Sequence, residues 1–302
     1  MIRAHAKRLA CLTTIASVIA LLVPFANATA ADPVFVGAGD IASCTRTQDL
    51  ATSRLLDRIP GTVFTAGDNV YEHGSATEFA RCYAGTWGRH KARTRPAVGD
   101  EEYETAGARG YFGYFGSRAG DPRRGYYSFD IGAWHAVVLN TNCAEVGGCG
   151  MTSPQLRWLQ TDLATRPRAC TIAIFHHPRF TSRRSSPDGR SVNMWRVLYA
   201  NGADLIVNGH SHQYERFAPQ TPDGVASAYG IRQFVVGTGG AALVPFPRIV
   251  RNSQVRNGTT YGVLRLTLHA SSYDFAFIPI AGQTFRDSGT TRCHGRPSAA
   301  RG

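Results

Sequence analysis

No two cysteines of this 302-residue sequence form a Cys-x-x-Cys pair, which removes the thiolate zinc sites built on that spacing. A Gly-x-Ser-x-Gly nucleophile elbow is missing too, since Gly209-His210-Ser211-His212-Gln213 fails at its last position. A Ser/His/Asp triad assembled in space stays open, though no nucleophile stands out. Gly237-Thr238-Gly239-Gly240 has no lysine after it, so there is no nucleotide phosphate loop, and His-Glu-x-x-His does not occur. The arginines are scattered and form no basic run, which gives nucleic-acid binding no specific support. Past residue 26 no stretch is long and apolar enough to span a bilayer. Internal repeats and low-complexity blocks are absent as well.

What is present begins with a leader. Arg3, Lys7 and Arg8 precede the mostly apolar, uncharged residues 9–26, and two small-residue cleavage patterns follow, Ala26-Asn27-Ala28 and Ala28-Thr29-Ala30. This layout predicts a secretory signal peptide over 1–30, with a secreted, extracellular product and no membrane attachment after cleavage. A membrane anchor is the competing reading; the run is short for it and broken by Thr13, Thr14 and Pro24. Residues 31–302 suffice for one large domain or two small ones. The formal charge is +12, with Arg3, Lys7 and Arg8 of the leader contributing to it. Such a balance suits an anionic substrate or surface as well as plain solubility. Cys11 lies in the leader; Cys44, Cys82, Cys143, Cys149, Cys170 and Cys293 remain and read as three disulfides in an exported chain. Cys143–Cys149, closing a small Gly-rich loop, is the pairing the spacing suggests.

A strand ending then recurs. Val34-Phe35-Val36-Gly37-Ala38-Gly39-Asp40 and Val63-Phe64-Thr65-Ala66-Gly67-Asp68 are apolar runs closed by Gly-Asp, and Arg95-Pro96-Ala97-Val98-Gly99-Asp100 is a weaker copy. Later come Thr171–His177 and Asp204–His210, both β-branched runs that end on histidine. The three aspartates stand about 30 residues apart, the length of a strand–helix–strand unit. Residues 47–58, 76–90 and 191–200 have helical apolar spacing. Residues 154–163 do too, with Ser153 as N-cap and Pro154 at the first helical position. Tyr126–Ile131 with Trp134–Asn140 predicts a hairpin, and strands are expected at Gln233–Val236, Thr260–Leu268 and Tyr273–Pro279. Alternating βα early and antiparallel β late predict an α/β fold with mixed sheets. In such sheets chemistry gathers at the carboxyl ends of strands, and glycine before a ligand lets the chain turn sharply. One Gly-Asp is only a turn; five polar strand ends in register point to one shared site.

The ligand types narrow the chemistry. Asp40, Asp68 and Asp100 offer hard oxygen; His176, His210 and His212 offer imidazole, a mixed set suited to manganese, iron or zinc. His210 and His212, two apart on extended chain, face the same side. Six such residues exceed one structural zinc and fit a two-metal site for phosphoryl transfer.

These motifs, Gly39-Asp40, Gly67-Asp68-Asn69-Val70-Tyr71, Gly99-Asp100-Glu101-Glu102, His176-His177-Pro178 and Gly209-His210-Ser211-His212, resemble the ordered set of the calcineurin-like metallophosphoesterases. The Gly-Asp-x-x-Tyr form resembles their purple acid phosphatase branch, including its bacterial secreted members. The resemblance runs from about Val34 to Phe217 and implies a four-layer αββα sandwich, two mixed β-sheets flanked by helices. It implies that Asp68 bridges two metal ions, iron paired with zinc, manganese or a second iron. Asp40, Tyr71 and His212 would complete one site, and Asp100, His176 and His210 the other. A small phosphate monoester would be hydrolysed by a metal-bound hydroxide, with Asp100, Glu101 and His177 as catalytic residues. Tyr71 as a phenolate would mean ferric iron and visible colour; otherwise it is a packed aromatic. The third motif departs from the family's Gly-Asn-His-Asp/Glu. Glu101 replaces the histidine that steadies the transition state, so only its protonated form could act as general acid. A metal- or phosphate-binding protein without turnover is therefore a competing reading, and a phosphodiesterase is another. The oligomeric state is not legible.

Other residues carry weaker expectations. His177, next to His176 on a strand, should point the other way and pack or support. Tyr111–Gly116 would wall a pocket or pack in core and hairpin. Arg179, Arg183 and Arg184 would hold phosphate or lie on a solvated loop. Tyr214–Phe217 would help orient the last ligand pair.

Overall fold

β-branched and aromatic side chains that fill both faces of a buried sheet turn the apolar Gly-Asp runs into strands. The computed structural model describes residues 1–2, 31–183 and 188–295. The chain divides into two units, Met1–Ala31 and Asp32–Gly302. The expected signal peptide and its cleavage patterns fall outside the described residues.

The second unit opens with β1 (Val34–Ala38), β2 (Ala42–Ser43), α1 (Gln48–Arg58), β3 (Thr62–Ala66), β4 (Val70–Tyr71), α2 (Ala76–Glu78), β5 (Thr94–Ala97) and α3 (Arg109–Phe115). Then come β6 (Tyr127–Ile131), β7 (Trp134–Val138), α4 (Pro154–Thr165), β8 (Cys170–Ile174), α5 (Val192–Ala200), β9 (Leu205–Asn208), β10 (Tyr214–Phe217) and β11 (Arg232–Val236). β12 (Ser253–Asn257), β13 (Gly262–Leu268), β14 (Ser272–Pro279) and β15 (Ser288–Arg292) are last. One sheet has the order β15-β14-β13-β1-β3-β5 and the other β12-β10-β11-β9-β8-β7-β6. β1, β3 and β5 are parallel, as are β7, β8, β9 and β11, while the other pairs within these two sheets are antiparallel; β2 and β4 form a separate two-stranded parallel ladder. Both sheets are therefore mixed, as expected.

Side-chain alternation shows the layering. Ile172 and Ile174 of β8 and Leu205 and Val207 of β9 join one apolar core with Phe35, Val36, Val63 and Phe64 of the other sheet. Their neighbours Ala173, Phe175 and Ile206 join a second core with Leu156 and Leu159 of α4 and Trp195 and Leu198 of α5. One core thus lies between the sheets and the other under helices. On the first sheet α1 packs against β13.

Two segments differ from expectation. Residues 76–90 do not form one helix. A Ser75–Glu78 capping box starts α2, a single π turn carries Phe79–Tyr83, and a 3-10 helix resumes at Trp87–Arg93. Thr86 leaves helical backbone (φ −114°, ψ −103°), and Gly88 packs so closely that a Cβ would sit 2.3 Å from the Tyr114 hydroxyl. Close packing of Phe79, Tyr83 and Trp87, all fully buried, outweighs helical regularity. Tyr111–Gly116, expected to wall a pocket or to pack in core and hairpin, does pack in the core, but from α3 and the turn after it and not from a hairpin. Its Tyr111 and Phe115 rings lie 5.2 Å apart, Phe115 lies 5.8 Å from Phe79, and the Tyr111 hydroxyl donates to the Pro96 carbonyl, bracing β5. Disulfides join Cys44–Cys82, Cys143–Cys149 and Cys170–Cys293, the second being the expected pair.

Candidate metal centre

Each parallel strand that ends on a Gly-Asp or Gly-His step delivers its polar residue to the same edge of the sandwich. Asp40, Asp68 and His210 take left-handed backbone at φ 57°, 48° and 66°. Such residues cost about 1–2 kcal/mol each, least for Asp and His. The bend sends the Asp40 and Asp68 carboxylates back across the strand ends, where glycine neighbours leave room. A Cβ on Gly99 would sit 2.0 Å from Asp68 Oδ1, and one on Gly237 2.7 Å from Asp40 Oδ2.

All seven expected ligands converge. On one side the Tyr71 hydroxyl lies 2.9 Å from Asp40 Oδ1, 2.8 Å from Asp68 Oδ2 and 3.1 Å from His212 Nε2. His212 Nε2 is 3.2 Å from Asp40 Oδ1. On the other side His176 Nε2 lies 3.3 Å from Asp68 Oδ2 and 2.8 Å from Asp100 Oδ1, and His210 Nδ1 is 3.3 Å from the same Asp100 oxygen. Asp68 belongs to both sides. Three ligand groups follow: Asp40–Asp68–His212, Asp68–Asp100–His176 and Asp100–His177–His210, the ligand atoms within each lying within 4.8 Å of one another.

The donor atoms suit cations. His176 Nδ1 donates to the Ala66 carbonyl at 2.8 Å and His212 Nδ1 to the Ala242 carbonyl at 2.9 Å. Each ring thereby aims Nε2 at carboxylates, the tautomer of a metal-bound histidine whose other nitrogen is held in place. His176 Nε2 and Asp100 Oδ1 are buried without a well-formed hydrogen bond, and buried polar atoms of that kind need a partner. The fields agree. Burial opposes a charge on His176, but Asp68 and Asp100 raise its pKa well above the usual value. Burial also opposes the Asp100 charge, yet the close approach of His176 and His210 holds its carboxyl far below the usual range. Burial, then Asp40 and Asp68, pushes the Tyr71 phenol up. Clustered acids attracting positive charge this strongly fit resident cations, and the mixed oxygen and imidazole set fits a transition-metal pair.

Glu101 half-lines the approach. Its backbone N–H donates to Asp68 Oδ1 at 3.1 Å, and burial with the charges of Asp68, Asp100 and Glu104 raises its carboxyl to about 7. It borders a cleft of about 420 Å³ beside Tyr71, His212, Arg46, His73 and Glu104. The Tyr111 stretch does not line it.

His177 corrects the strand-alternation expectation. β8 ends at Ile174, so His177 lies past the pleat and its ring is in the cluster, 4.3 Å from the His210 ring and with Nε2 3.3 Å from Asp100 Oδ1. Arg179 is not free for phosphate: its buried guanidinium donates to the carbonyls of Pro222 and Asp188. Arg183 is exposed near the His210 carbonyl, and Arg184 lies outside the described residues. Tyr214 donates to Asp287, away from the cluster, while Glu215 accepts from the Ser182 N–H and hydroxyl behind it.

Three participants carried no signal that strand-end reading detects. Glu102 is fully buried, and its carboxylate accepts from the N–H groups of Gly99 (2.6 Å), Asp68 (3.1 Å), Asn69 (2.6 Å) and Val70 (3.3 Å). It clasps the loops that carry Asp68 and Asp100. Thr141 and Arg190 hold the two nitrogens of His177, at 2.7 Å and 2.5 Å.

Comparison with known proteins fits this geometry. Purple acid phosphatase 18 of Arabidopsis thaliana is 29% identical over 161 residues, 51% of this chain and 35% of that one. Purple acid phosphatase 15 of the same plant is 34% identical over 97 residues, 30% of this chain and 18% of that one. The chain thus spans about a third or less of the curated relatives it matches. The purple acid phosphatase PPD1 from yellow lupin (Lupinus luteus) seeds shares the fold with a TM-score of 0.65 at 19% identity, over 86% of this chain and 53% of that one. The description calcineurin-like phosphoesterase fits a family model that matches residues 26–214, well over half of the sequence. The chain belongs to the calcineurin-like phosphoesterase family.

Proposed function

We propose that this chain is an exported phosphoesterase that hydrolyses small phosphate monoesters at a two-metal centre. The observation that carries the proposal is the sharing of Asp68 between two ligand clusters. Asp40, Tyr71 and His212 would hold one ion with it, and Asp100, His176 and His210 the other. When bound, such an ion pair lowers the pKa of water and neutralises charge on the phosphoryl oxygens. The oxygen–imidazole–phenol donor set favours iron with zinc, manganese or a second iron.

The chain's own residues do the rest. Backbone carbonyls fix His176 and His212 in the ligating tautomer. Glu102 keeps Asp68 and Asp100 in register. Glu101, at the cleft edge, would give a proton to the leaving oxygen. A cleft of about 420 Å³ favours a small substrate. Export is supported by three disulfides and by the leader's composition. Among the described residues no helix is long and apolar enough to cross a membrane.

One observation favours a second reading, a metal- or phosphate-binding protein without turnover: Glu72, Glu101 and Glu104 all line the cleft and would repel a phosphate. Hydrolysis of an aryl phosphate monoester and the matching diester, with metal content measured, separates the two. The phosphoesterase reading expects metal-dependent turnover with the monoester preferred, and a loss of about 10²-fold or more in Glu101→Gln. A wild type that binds metal but is silent, and gains turnover only as Glu101→His, would establish the second reading.

A further inference from the structure

Arg190 sits against His177, whose ring neighbours Asp100, on the turn just before α5. Its Nη1 donates to His177 Nε2 at 2.5 Å. That bond decides what His177 does. With Nε2 taken as acceptor, a neutral ring carries its proton on Nδ1, 2.7 Å from the Thr141 hydroxyl. The Thr141 oxygen also accepts the His177 backbone N–H at 3.2 Å. His177 is therefore a rigid post for the guanidinium and has no proton to offer toward Asp100.

The arginine is held from its other side as well. The buried Asp188 carboxylate accepts the Arg190 backbone N–H at 2.8 Å and lies 3.5 Å from Nε. The Asp188 backbone is in turn clamped by Arg179, whose carbonyl accepts its N–H and whose Nη1 donates to its carbonyl. So the buried Arg179, excluded as a phosphate contact, holds the loop that presents Arg190. The Arg190 side chain is nevertheless 43% exposed, and Nη2 has no hydrogen-bond partner among the described residues. A guanidinium fixed at two corners and open at the third matches the fork that phosphate oxygens accept.

We propose that Arg190 binds a non-bridging phosphoryl oxygen of the substrate beside Asp100 and His210. It thereby supplies a fixed positive charge to a site whose cleft is lined by Glu101 and Glu104. This rests on the phosphoesterase reading for its kinetic consequence, while its binding consequence stands alone.

The test uses manganese-loaded wild type, Arg190→Ala and Arg190→Lys, with ion content checked. Inorganic phosphate binding is measured by calorimetry, and aryl phosphate hydrolysis by steady-state kinetics. Expected are an unchanged ion content, a tenfold or greater loss of phosphate affinity in Arg190→Ala, a comparable fall in kcat/KM, and partial recovery in Arg190→Lys. Phosphate affinity equal to wild type in Arg190→Ala would overturn the proposal, including the case in which only kcat falls and the arginine acts through His177. If wild type binds phosphate but turns nothing over, the phosphoesterase reading fails, and the affinity of Arg190→Ala still decides the role of Arg190.

Discussion

Glu102 shows how much of a metal-ready cluster depends on a residue that ligates nothing. Four backbone N–H groups, from two loops, end on its carboxylate. Removing the acceptor leaves buried donors unpaired at about 1–3 kcal/mol each, partly relieved by water. Glu102→Ala should therefore lose about 3 kcal/mol of unfolding free energy in urea and bind metal more weakly. Unchanged stability and unchanged metal affinity would show that the clasp is dispensable. Glu102 stands in the third motif, yet three of its four donors lie more than thirty positions away, so no local pattern reveals its role. Thr141 and Arg190 are hidden for the same reason. Asp40, Asp68, Asp100, His176, His210 and His212 were legible because each lies within a few residues of a strand end, where chain direction alone dictates convergence.

Between β6, β7 and α4 lies a second charge cluster, centred on the buried His135 and Asp162 and apart from the cleft. His135 Nδ1 is 2.9 Å from Asp130 and Nε2 2.7 Å from Asp162. Burial disfavours its charge, but the hydrogen bonds it donates to Asp162 and then Asp130 outweigh that and raise the histidine's pKa. A raised folded pKa means stability that is full below the unfolded value of about 6.5 and fades as pH climbs through the folded one. Wild type should thus exceed His135→Gln by about 2 kcal/mol at pH 5.5, with the gap shrinking toward pH 9. Urea midpoints at the two pH values measure it; a gap that widens with pH would refute the assignment. At this scale, prediction succeeded where a single period governs an element. Ser153 and Pro154 cap α4, which runs Pro154–Thr165. It failed at 76–90, read as one helix, and at the hairpin expected for Tyr111–Gly116, where aromatic side chains from separate segments pack together and tertiary packing overrides the local period.

Across the whole of residues 32–295, the two sheets are joined covalently once. Cys170–Cys293 links β8 to the segment after β15 across 123 residues. Asp204 reinforces the junction, accepting the N–H groups of Thr171 and His294. A loop that long, opened by Cys170→Ser with Cys293→Ser, should cost about 4–5 kcal/mol. Denaturant unfolding checks this, and a loss below about 1 kcal/mol would contradict the entropic account. Six cysteines outside the leader announced three bridges, but only the short Cys143–Cys149 loop was readable; distant pairs depend on sheet order, which periodicity does not encode.

The two-metal centre depends most on Asp68 serving two ions at once. Metal-free protein titrated with manganese or zinc, with bound ions per chain counted by elemental analysis and aryl phosphate hydrolysis followed in parallel, tests that directly. Two ions per wild-type chain, at most one in Asp68→Ala, and turnover only in the doubly loaded wild type are predicted. A wild type that saturates at one ion, or an Asp68→Ala variant that still holds two, would contradict the two-metal centre.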